Sequence, residues 1–161
     1  MTQIDIDIAG LQQAQANLLR VEAGLLAPDG LASAVGRVTL SLHRYAVAHT
    51  HVGRYVRTRT GRFRWAPPGT PGAVGGGALR ASQSVELPRD TSRPVGRVYL
   101  SSAAVNPYTR GRPATYGVYE HERGGEHAFY TRAVAEARQN GDVLREVQAM
   151  VQTVLNGQQR P

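Results

Sequence analysis

Histidine and glutamate occur close together in two short segments, Glu120-His121-Glu122 and Glu126-His127. Imidazoles and carboxylates act as general acids and bases, and they are common zinc ligands. The His-Glu-x-x-His pattern of helical zinc enzymes is not met, because Gly125 stands where its second histidine belongs. We therefore expect these segments to form a solvated surface or a contact between subunits, without a catalytic role.

Three further histidines, His43, His49 and His51, fall in a segment with helical periodicity. Two metal ligands on one helix need a spacing of three or four residues to share a face. The separations here are six, eight and two residues, so one helix would place these rings on different faces. We expect no metal site, and we expect His49 to be a hydrogen-bonded residue of a core or an interface.

The strongest local signal in the sequence is a segment rich in arginine and aromatic residues. Five arginines lie within eleven residues, interleaved with three aromatic side chains: Arg54, Arg57, Arg59, Arg62 and Arg64, with Tyr55, Phe63 and Trp65. Guanidinium groups bind phosphates in a bidentate manner, and aromatic rings stack on bases. No sequence-reading motif accompanies them, so any nucleic-acid contact would involve the backbone and be independent of sequence. The alternatives are a solvated loop, or arginines paired with acids of a neighbouring chain.

Composition excludes several classes of enzyme. All 19 basic residues are arginine, against 12 acidic residues, and the net charge is +7. Without cysteine there is no disulfide, thiol nucleophile or cysteine-ligated metal. Without lysine there is no P-loop lysine and no Schiff base, and the Gly-x-Ser-x-Gly serine motif is missing as well. We expect a protein that is not an enzyme and that needs no cofactor.

The sequence also carries no signal for a membrane. No stretch reaches 18 consecutive apolar residues, and residues 1–10 carry two aspartates and no positive side chain. These features predict neither a membrane-spanning helix nor a secretory signal peptide. We expect a protein of the cytoplasm or of a larger particle.

Hydrophobic periodicity predicts the elements of the N-terminal half. Alternating isoleucines predict a strand at residues 3–8, and helical spacing predicts a helix at 11–26. A longer helix, capped by Asp29, is predicted at 31–56 because apolar residues recur at alternating spacings of four and three: Leu31, Val35, Val38, Leu42, Tyr45, His49, Val52 and Val56. Residues 54–78 are predicted to be a basic, Gly/Pro-rich extended loop, because no packed element fits Pro67 to Gly77.

The C-terminal half shows three strand patterns followed by two helix patterns. Strands are predicted at 82–87, 96–101 and 115–120, the first two forming a hairpin. Helices are predicted at 128–139 and, capped by Asp142, at 143–156, followed by a frayed tail at 158–161. The chain is thus expected to be a single α+β domain over residues 1–161. In this domain the long helix and the C-terminal helices pack a small, mainly antiparallel sheet.

Four short motifs follow one another along the chain: Ile8-Ala9-Gly10-Leu11, Gly77-Ala78-Leu79-Arg80-Ala81-Ser82, Tyr116-Gly117-Val118-Tyr119-Glu120 running on to Gly124-Gly125, and His127-Ala128-Phe129-Tyr130. With the long helix between the first two, this order resembles the tail-completion family of long-tailed double-stranded DNA phages. These are minor tail protein Z-like, head–tail joining proteins. The sequence departs from the family at Gly75-Gly76, where the family has Asp-Thr, so contacts of that loop are not transferred.

The resemblance implies a structural virion protein of the neck. Its members look like ring-formers, with six subunits around the DNA channel, between the head-closure (stopper) ring and the tail terminator or tail tube. The implied location is the virion, after assembly in the host cytoplasm, and no membrane is involved. Tail terminator and head-closure roles in the same neck are the nearest alternatives.

The resemblance also suggests roles for particular residues. The arginines at 54–64 would face the DNA channel or a neighbouring subunit, where we expect partial neutralisation by the neighbour's Glu86, Glu120, Glu122 and Glu126. Candidate residues of the ring interface are Trp65, Leu79, Arg80, Tyr116, Tyr119, Glu120 and Glu122.

Two other functions remain open on sequence grounds. One is a small nucleic-acid-binding protein that recognises no particular sequence. The other is a nuclease or toxin-like enzyme that uses His121, Glu122 and His127.

Overall fold

The structure, a computed structural model, describes residues 8–67 and 69–158. Helices and short strands alternate along this part of the chain in the following order: α1 (Ile8–Leu26), α2 (Leu31–His49), β1 (Arg54–Arg57), β2 (Phe63–Ala66), α3 (Ala78–Ala81), β3 (Gln83–Glu86), β4 (Arg97–Leu100), α4 (Pro113–Glu122), α5 (Phe129–Gln139) and α6 (Asp142–Gln158). A single 3-10 turn, Gly125–His127, joins α4 to α5. The predicted α+β class is confirmed.

The core lies where α2 packs against α5. Ala46 is fully buried, and Ala133 and Ala137 are each only 2% exposed, with Tyr45 beside them. Alanines four residues apart share one helix face, and their small side chains let the two helix axes approach closely. The predicted helix at 128–139 is therefore confirmed, and Phe129, Ala133 and Ala137 form its buried face.

Helices α1 and α6 complete the helical layer. They confirm the predicted helices at 11–26 and 143–156, with α1 beginning earlier, at Ile8, and α6 running on to Gln158. Met150 and Val154 are buried along the inner face of α6. Asp142, at the start of α6, is also buried and pairs with Arg145. The Tyr45 hydroxyl, and after it Arg145, lower the pKa of the Asp142 carboxyl despite its burial.

The second helix begins at Leu31, as predicted, but it is shorter than predicted at its C-terminal end. It ends at His49 and not at residue 56, because the next residue, Thr50, is extended and buried. The N-cap residue of this helix is Gly30 and not Asp29. A side chain at Gly30 would collide with the carbonyl oxygens of Gly24 and Leu25, only 2.4 Å from the position of a Cβ.

A chain of hydrogen bonds holds the end of α2. Thr50 Oγ1 donates to Ala46 O at 2.6 Å and accepts from Gln83 Nε2 at 3.0 Å. Gln83 Oε1 in turn accepts from the Tyr130 hydroxyl at 3.0 Å. Arg80 donates from Nε and Nη2 to Thr50 O, at 3.2 and 2.9 Å. These bonds satisfy buried polar groups that would otherwise cost stability, and they join α2, β3 and α5.

The strands form two separate antiparallel pairs, not one sheet. The pair β3–β4 confirms the hairpin predicted from 82–87 and 96–101, with Gln83 opposite Leu100 and Glu86 opposite Arg97. The pair β1–β2 lies in the segment 54–78, which was predicted to be an extended loop. That prediction is wrong for residues 54–57 and 63–66, because the backbone groups of this segment pair with each other.

The predicted third strand at 115–120 is also wrong, since these residues lie in α4. Pro113 starts the helix at a position that suits its fixed backbone, and Pro113 and Gly117 are buried four residues apart. A Cβ at Gly117 would lie 2.3 Å from Leu100 Cδ1 and 2.7 Å from Leu79 Cδ1. Glycine therefore lets α4 rest directly on β4 and α3, a contact that the local pattern does not encode.

Two predictions fall mostly outside the described residues. The strand at 3–8 is covered only at Ile8, which begins α1, and the frayed tail only at Gln158, the last residue of α6. Within the described residues, no helix is long and apolar enough to span a membrane.

Overpacking the contact between α2 and α5 tests the assignment of the core. We expect Ala133→Leu to lower the free energy of unfolding by about 1–3 kcal/mol, because a closely packed interface has no room for the added atoms. The matched control is Ala135→Leu on the exposed side of the same helix, where we expect little change. Urea unfolding followed by circular dichroism measures both, and equal midpoints for the two variants would contradict this core.

The hydrogen-bonded tyrosine Tyr130 predicts a pH dependence. Burial raises the pKa of Tyr130 to about 12, whereas an unfolded tyrosine titrates near pH 10. The stabilising contribution of the neutral hydroxyl is therefore complete below about pH 10 and is lost as the pH rises towards about 12. We expect unfolding free energies measured across this range to fall more steeply for the wild type than for Tyr130→Phe. Parallel curves would refute the assignment.

Candidate functional site

The basic segment forms a projecting hairpin. Arg54 pairs with Ala66 and Arg57 with Phe63, and a five-residue connection joins the strands. Thr58 N donates to Arg62 O at 2.7 Å, and Gly61 turns the chain with a φ of +79°. A positive φ of this kind suits glycine because it has no Cβ. The hairpin thus holds the basic residues on a defined backbone frame.

All five arginines of the hairpin are exposed: Arg54, Arg57, Arg59, Arg62 and Arg64. Among residues 8–67 and 69–158, none of these five lies within ion-pair distance of a carboxylate. Their charges are therefore available to a partner outside the described chain, so an anionic ligand would not first have to break an internal ion pair.

One face of the hairpin carries the aromatic residues. The strand register places Tyr55, Phe63 and Trp65 on the same face. Tyr108 covers part of that face, stacking on Tyr55 with ring centroids 5.1 Å apart and meeting Phe63 edge-on at 5.2 Å. Trp65 stays 61% exposed. The hairpin therefore presents one free aromatic ring among its arginines.

Asn106 ties the hairpin to the rest of the molecule. It is fully buried, and its Nδ2 donates to the hydroxyls of Tyr55 at 2.9 Å and Tyr116 at 3.3 Å. Its Oδ1 accepts from the backbone nitrogens of Tyr108 and Thr109. One amide side chain thus joins β1, α4 and the loop between β4 and α4. Sequence reasoning missed this residue, because Asn-Pro signals only a turn.

The candidate interface residues occupy different environments. Trp65 lies on the hairpin, and Tyr119 and Glu122 are exposed on α4. Leu79 is buried within the chain, and Arg80 donates to Thr50 O.

The other two candidates, Tyr116 and Glu120, both make contacts within the chain. Tyr116 is half-buried, and burial raises the pKa of its hydroxyl. Glu120 pairs with Arg123 and lies beside His127, both at 3.1 Å.

A cavity of about 600 Å³ lies between the base of the hairpin and α4. It brings together five of the predicted DNA-channel and ring-interface candidates: Arg54, Trp65, Leu79, Tyr116 and Glu120. The arginines at the hairpin tip, together with Arg80, Tyr119 and Glu122, do not line it. The sequence-derived set therefore divides into a cavity at the hairpin base and an exposed surface around it.

A histidine cluster borders the same cavity. His51, Glu126 and His127 each offer a donor atom, and these atoms lie within 4.8 Å of one another. The rings of His51 and His127 have centroids 4.7 Å apart. The sequence prediction placed His51 on the second helix, but it follows that helix, in the linker to β1. This cluster was missed because its members come from two distant linkers.

The remaining histidines have separate partners. His49 Nε2 lies 2.6 Å from Glu136 Oε2, which confirms the prediction of a hydrogen-bonded residue. His43 Nε2 contacts Gln83 O at 3.3 Å. His121 packs edge-on against Phe129, with ring centroids 5.0 Å apart. Of the residues suggested for an enzyme, His121 therefore contacts the aromatic core, whereas His127 faces His51.

No protein-family model, no curated protein and no solved structure matches this chain. The site therefore rests on the geometry of this chain alone, and the resemblance to phage tail-completion proteins stays a prediction.

Removing the Asn106 side chain tests whether this residue holds the hairpin against the rest of the molecule. We expect Asn106→Ala to lower the free energy of unfolding by about 1–3 kcal/mol, because it leaves buried hydrogen-bonding groups without partners. We also expect greater mobility of Trp65, the single tryptophan, seen as lower fluorescence anisotropy. Asn156→Ala, on an exposed part of α6, is the control. Wild-type stability and anisotropy in Asn106→Ala would contradict this role.

Proposed function

We propose that this protein is a structural component of a phage neck. In this proposal it forms a ring that joins the head-closure complex to the tail terminator or tail tube, around the DNA channel. The order of the sequence motifs suggests this function. The observation that carries it is the hairpin of exposed arginines without internal ion pairs in the described residues.

Electrostatics supports a DNA-facing role for the hairpin. Each subunit carries a net charge of +7, and a ring multiplies this charge around its lumen. Such a field attracts the phosphate backbone without reading sequence. The exposed Trp65 adds a flat apolar surface beside the guanidinium groups. The arrangement fits passing DNA better than it fits recognition of particular bases, because the sequence carries no sequence-reading motif.

Partial neutralisation of the hairpin arginines by acidic residues of adjacent subunits fits the proposed DNA channel. A lumen of free arginines alone would hold DNA too tightly for ejection, so acidic residues of adjacent subunits are expected nearby. Glu122 is exposed on α4 and is well suited to this. Glu86 and Glu120 already pair with Arg97 and Arg123 in their own chain, at 3.6 and 3.1 Å. Each would therefore have to bind this arginine and an arginine of the neighbouring subunit at the same time.

Exposed apolar side chains support the ring. Val143, Val147 and Val151 lie four residues apart along one flank of α6 and are each 41–48% exposed. On α1, Leu18 and Leu19 are 71% and 58% exposed. Exposed apolar side chains that cluster on a helix are typical of protein–protein contacts, so α1 and α6 are the surfaces that we expect adjacent subunits to cover.

The same arginines favour a second candidate function, a small nucleic-acid-binding protein outside a virion. Such a protein would bind duplex or single strands as a monomer, with affinity falling steeply as salt rises. The two functions differ in assembly, because the neck protein forms a ring and the nucleic-acid-binding protein stays a monomer.

Tail terminator and head-closure proteins would also form a ring. They differ from the first proposal in their position in the neck.

Charge reversal at the hairpin tip tests the DNA contact. The test variant is the double mutant Arg59→Glu/Arg62→Glu. The control is the double mutant Arg89→Glu/Arg138→Glu, which changes the net charge by the same amount at exposed positions outside the hairpin. We expect the tip variant to lose most duplex binding, and the slope of log affinity against log salt to fall by about one for each phosphate that the hairpin no longer binds. Fluorescence anisotropy of a labelled duplex at several salt concentrations measures this.

Assembly is measured on the same proteins by sedimentation velocity and electron microscopy. We expect rings from the wild type and from both charge variants. A protein that stays monomeric and binds nucleic acid tightly would support the second function. A monomer that binds no DNA would contradict both functions. In the phage itself, deletion of the gene should leave filled heads and finished tails unjoined, whereas overlong tails would indicate a terminator.

A further inference from the structure

Two linkers that bear histidine meet beside the cavity. His51 lies in the linker between α2 and β1, and Glu126 and His127 lie in the 3-10 turn between α4 and α5. Both linkers are anchored close to these residues. Thr50 is held by its bonds to Gln83 and Arg80, and Phe129, which is 2% exposed, starts α5 in the core. The cluster is therefore built on the fixed ends of rigid elements.

The donor set is suited to a transition metal. Two imidazoles and one carboxylate are a known zinc ligand set that leaves a fourth position open. Magnesium and calcium instead prefer ligands that are all oxygen. The donor atoms lie within 4.8 Å of one another, and a tetrahedral zinc ion requires about 3.3 Å between ligands. His51 and Glu126 are exposed, so side-chain rotation is able to close this gap.

Glu120 supports the cluster from the other side. Its Oε2 lies 3.1 Å from Nδ1 of His127, a buried atom that has no well-aligned hydrogen bond. A carboxylate beside a metal-binding imidazole orients the ring and raises its basicity. The charges of Glu120 and Glu126 offset that of a divalent cation. Arg54 and Arg123 line the cavity as well and add two positive charges, and Arg123 pairs with Glu120.

We propose that His51, Glu126 and His127 bind a divalent transition-metal ion such as Zn²⁺, with Glu120 as the positioning carboxylate. All three residues line the cavity, so a fourth ligand would reach the ion from there. The ion links the segment that enters the basic hairpin to the turn that enters α5, and so braces the base of the hairpin. None of the five hairpin arginines is a metal ligand in this proposal, and it stands whether or not the protein is part of a phage neck.

Calorimetric titration with Zn²⁺ on the full chain tests the site. We expect one ion per chain, and a thermal unfolding midpoint that rises on addition of Zn²⁺. His51→Ala, His127→Ala and Glu126→Gln should each weaken Zn²⁺ affinity more than about tenfold, and Glu120→Gln by about 10–100-fold. The matched controls are Glu122→Gln for the carboxylates and His43→Ala for the histidines, and both should retain the affinity of the wild type.

The readout compares metal-loaded and metal-free samples of the same variant, so a change in basal stability does not affect it. In NMR spectra of the wild type, the ring signals of His51 and His127 should shift with Zn²⁺, while those of His43 and His49 stay in place. Absence of saturable Zn²⁺ binding by the wild type would overturn the proposal. So would binding that is unchanged in both His51→Ala and His127→Ala, because the ion would then lie elsewhere.

Discussion

The position of every candidate functional residue depends on how the second helix ends. At Thr50 the chain leaves α2, and the carbonyl and hydroxyl of this residue are bound by Arg80 and Gln83. The four residues 50–53 then carry the chain into the basic hairpin. Because a buried polar group without a partner costs about 1–3 kcal/mol, this set of bonds strongly favours one exit direction. It thereby sets both the hairpin and His51 against α4.

The hairpin is also held from the other side by a buried amide. Asn106 bonds to Tyr55 on β1 and to Tyr116 on α4, and Tyr108 stacks on Tyr55. The arginines are thereby presented from a braced frame, which reduces the entropy lost when they bind a phosphate backbone. The histidine cluster lies at the base of the same frame. The proposed metal ion and the proposed DNA contact thus share one support but use different side chains.

Sequence patterns predicted the long helices well and the shorter elements unevenly. The helices at 11–26, 128–139 and 143–156 and the hairpin built from 82–87 and 96–101 are confirmed, because periodic apolar residues reflect a single buried face. The end of α2 was missed because Val52 and Val56 continue the same periodicity beyond Thr50. Residues 115–120 were assigned to a strand because Tyr116, Val118 and Tyr119 favour strands. In the structure Val118 and Tyr119 are exposed, and Gly117 makes the contact.

The sequence by itself determined the α+β class, most of the helices, and a cluster of arginines that cannot all be neutralised by neighbours along the chain. It also located each histidine and carboxylate that now appears beside the cavity. Only the tertiary structure decided that His51 meets His127, that Asn106 joins β1 to α4, and that the basic segment is a hairpin. The physical reason is the separation along the chain between residues that are in contact. Periodicity and propensity report on neighbours within a few turns, whereas these contacts join residues brought together only when α2, α4 and α5 pack around Thr50 and Phe129.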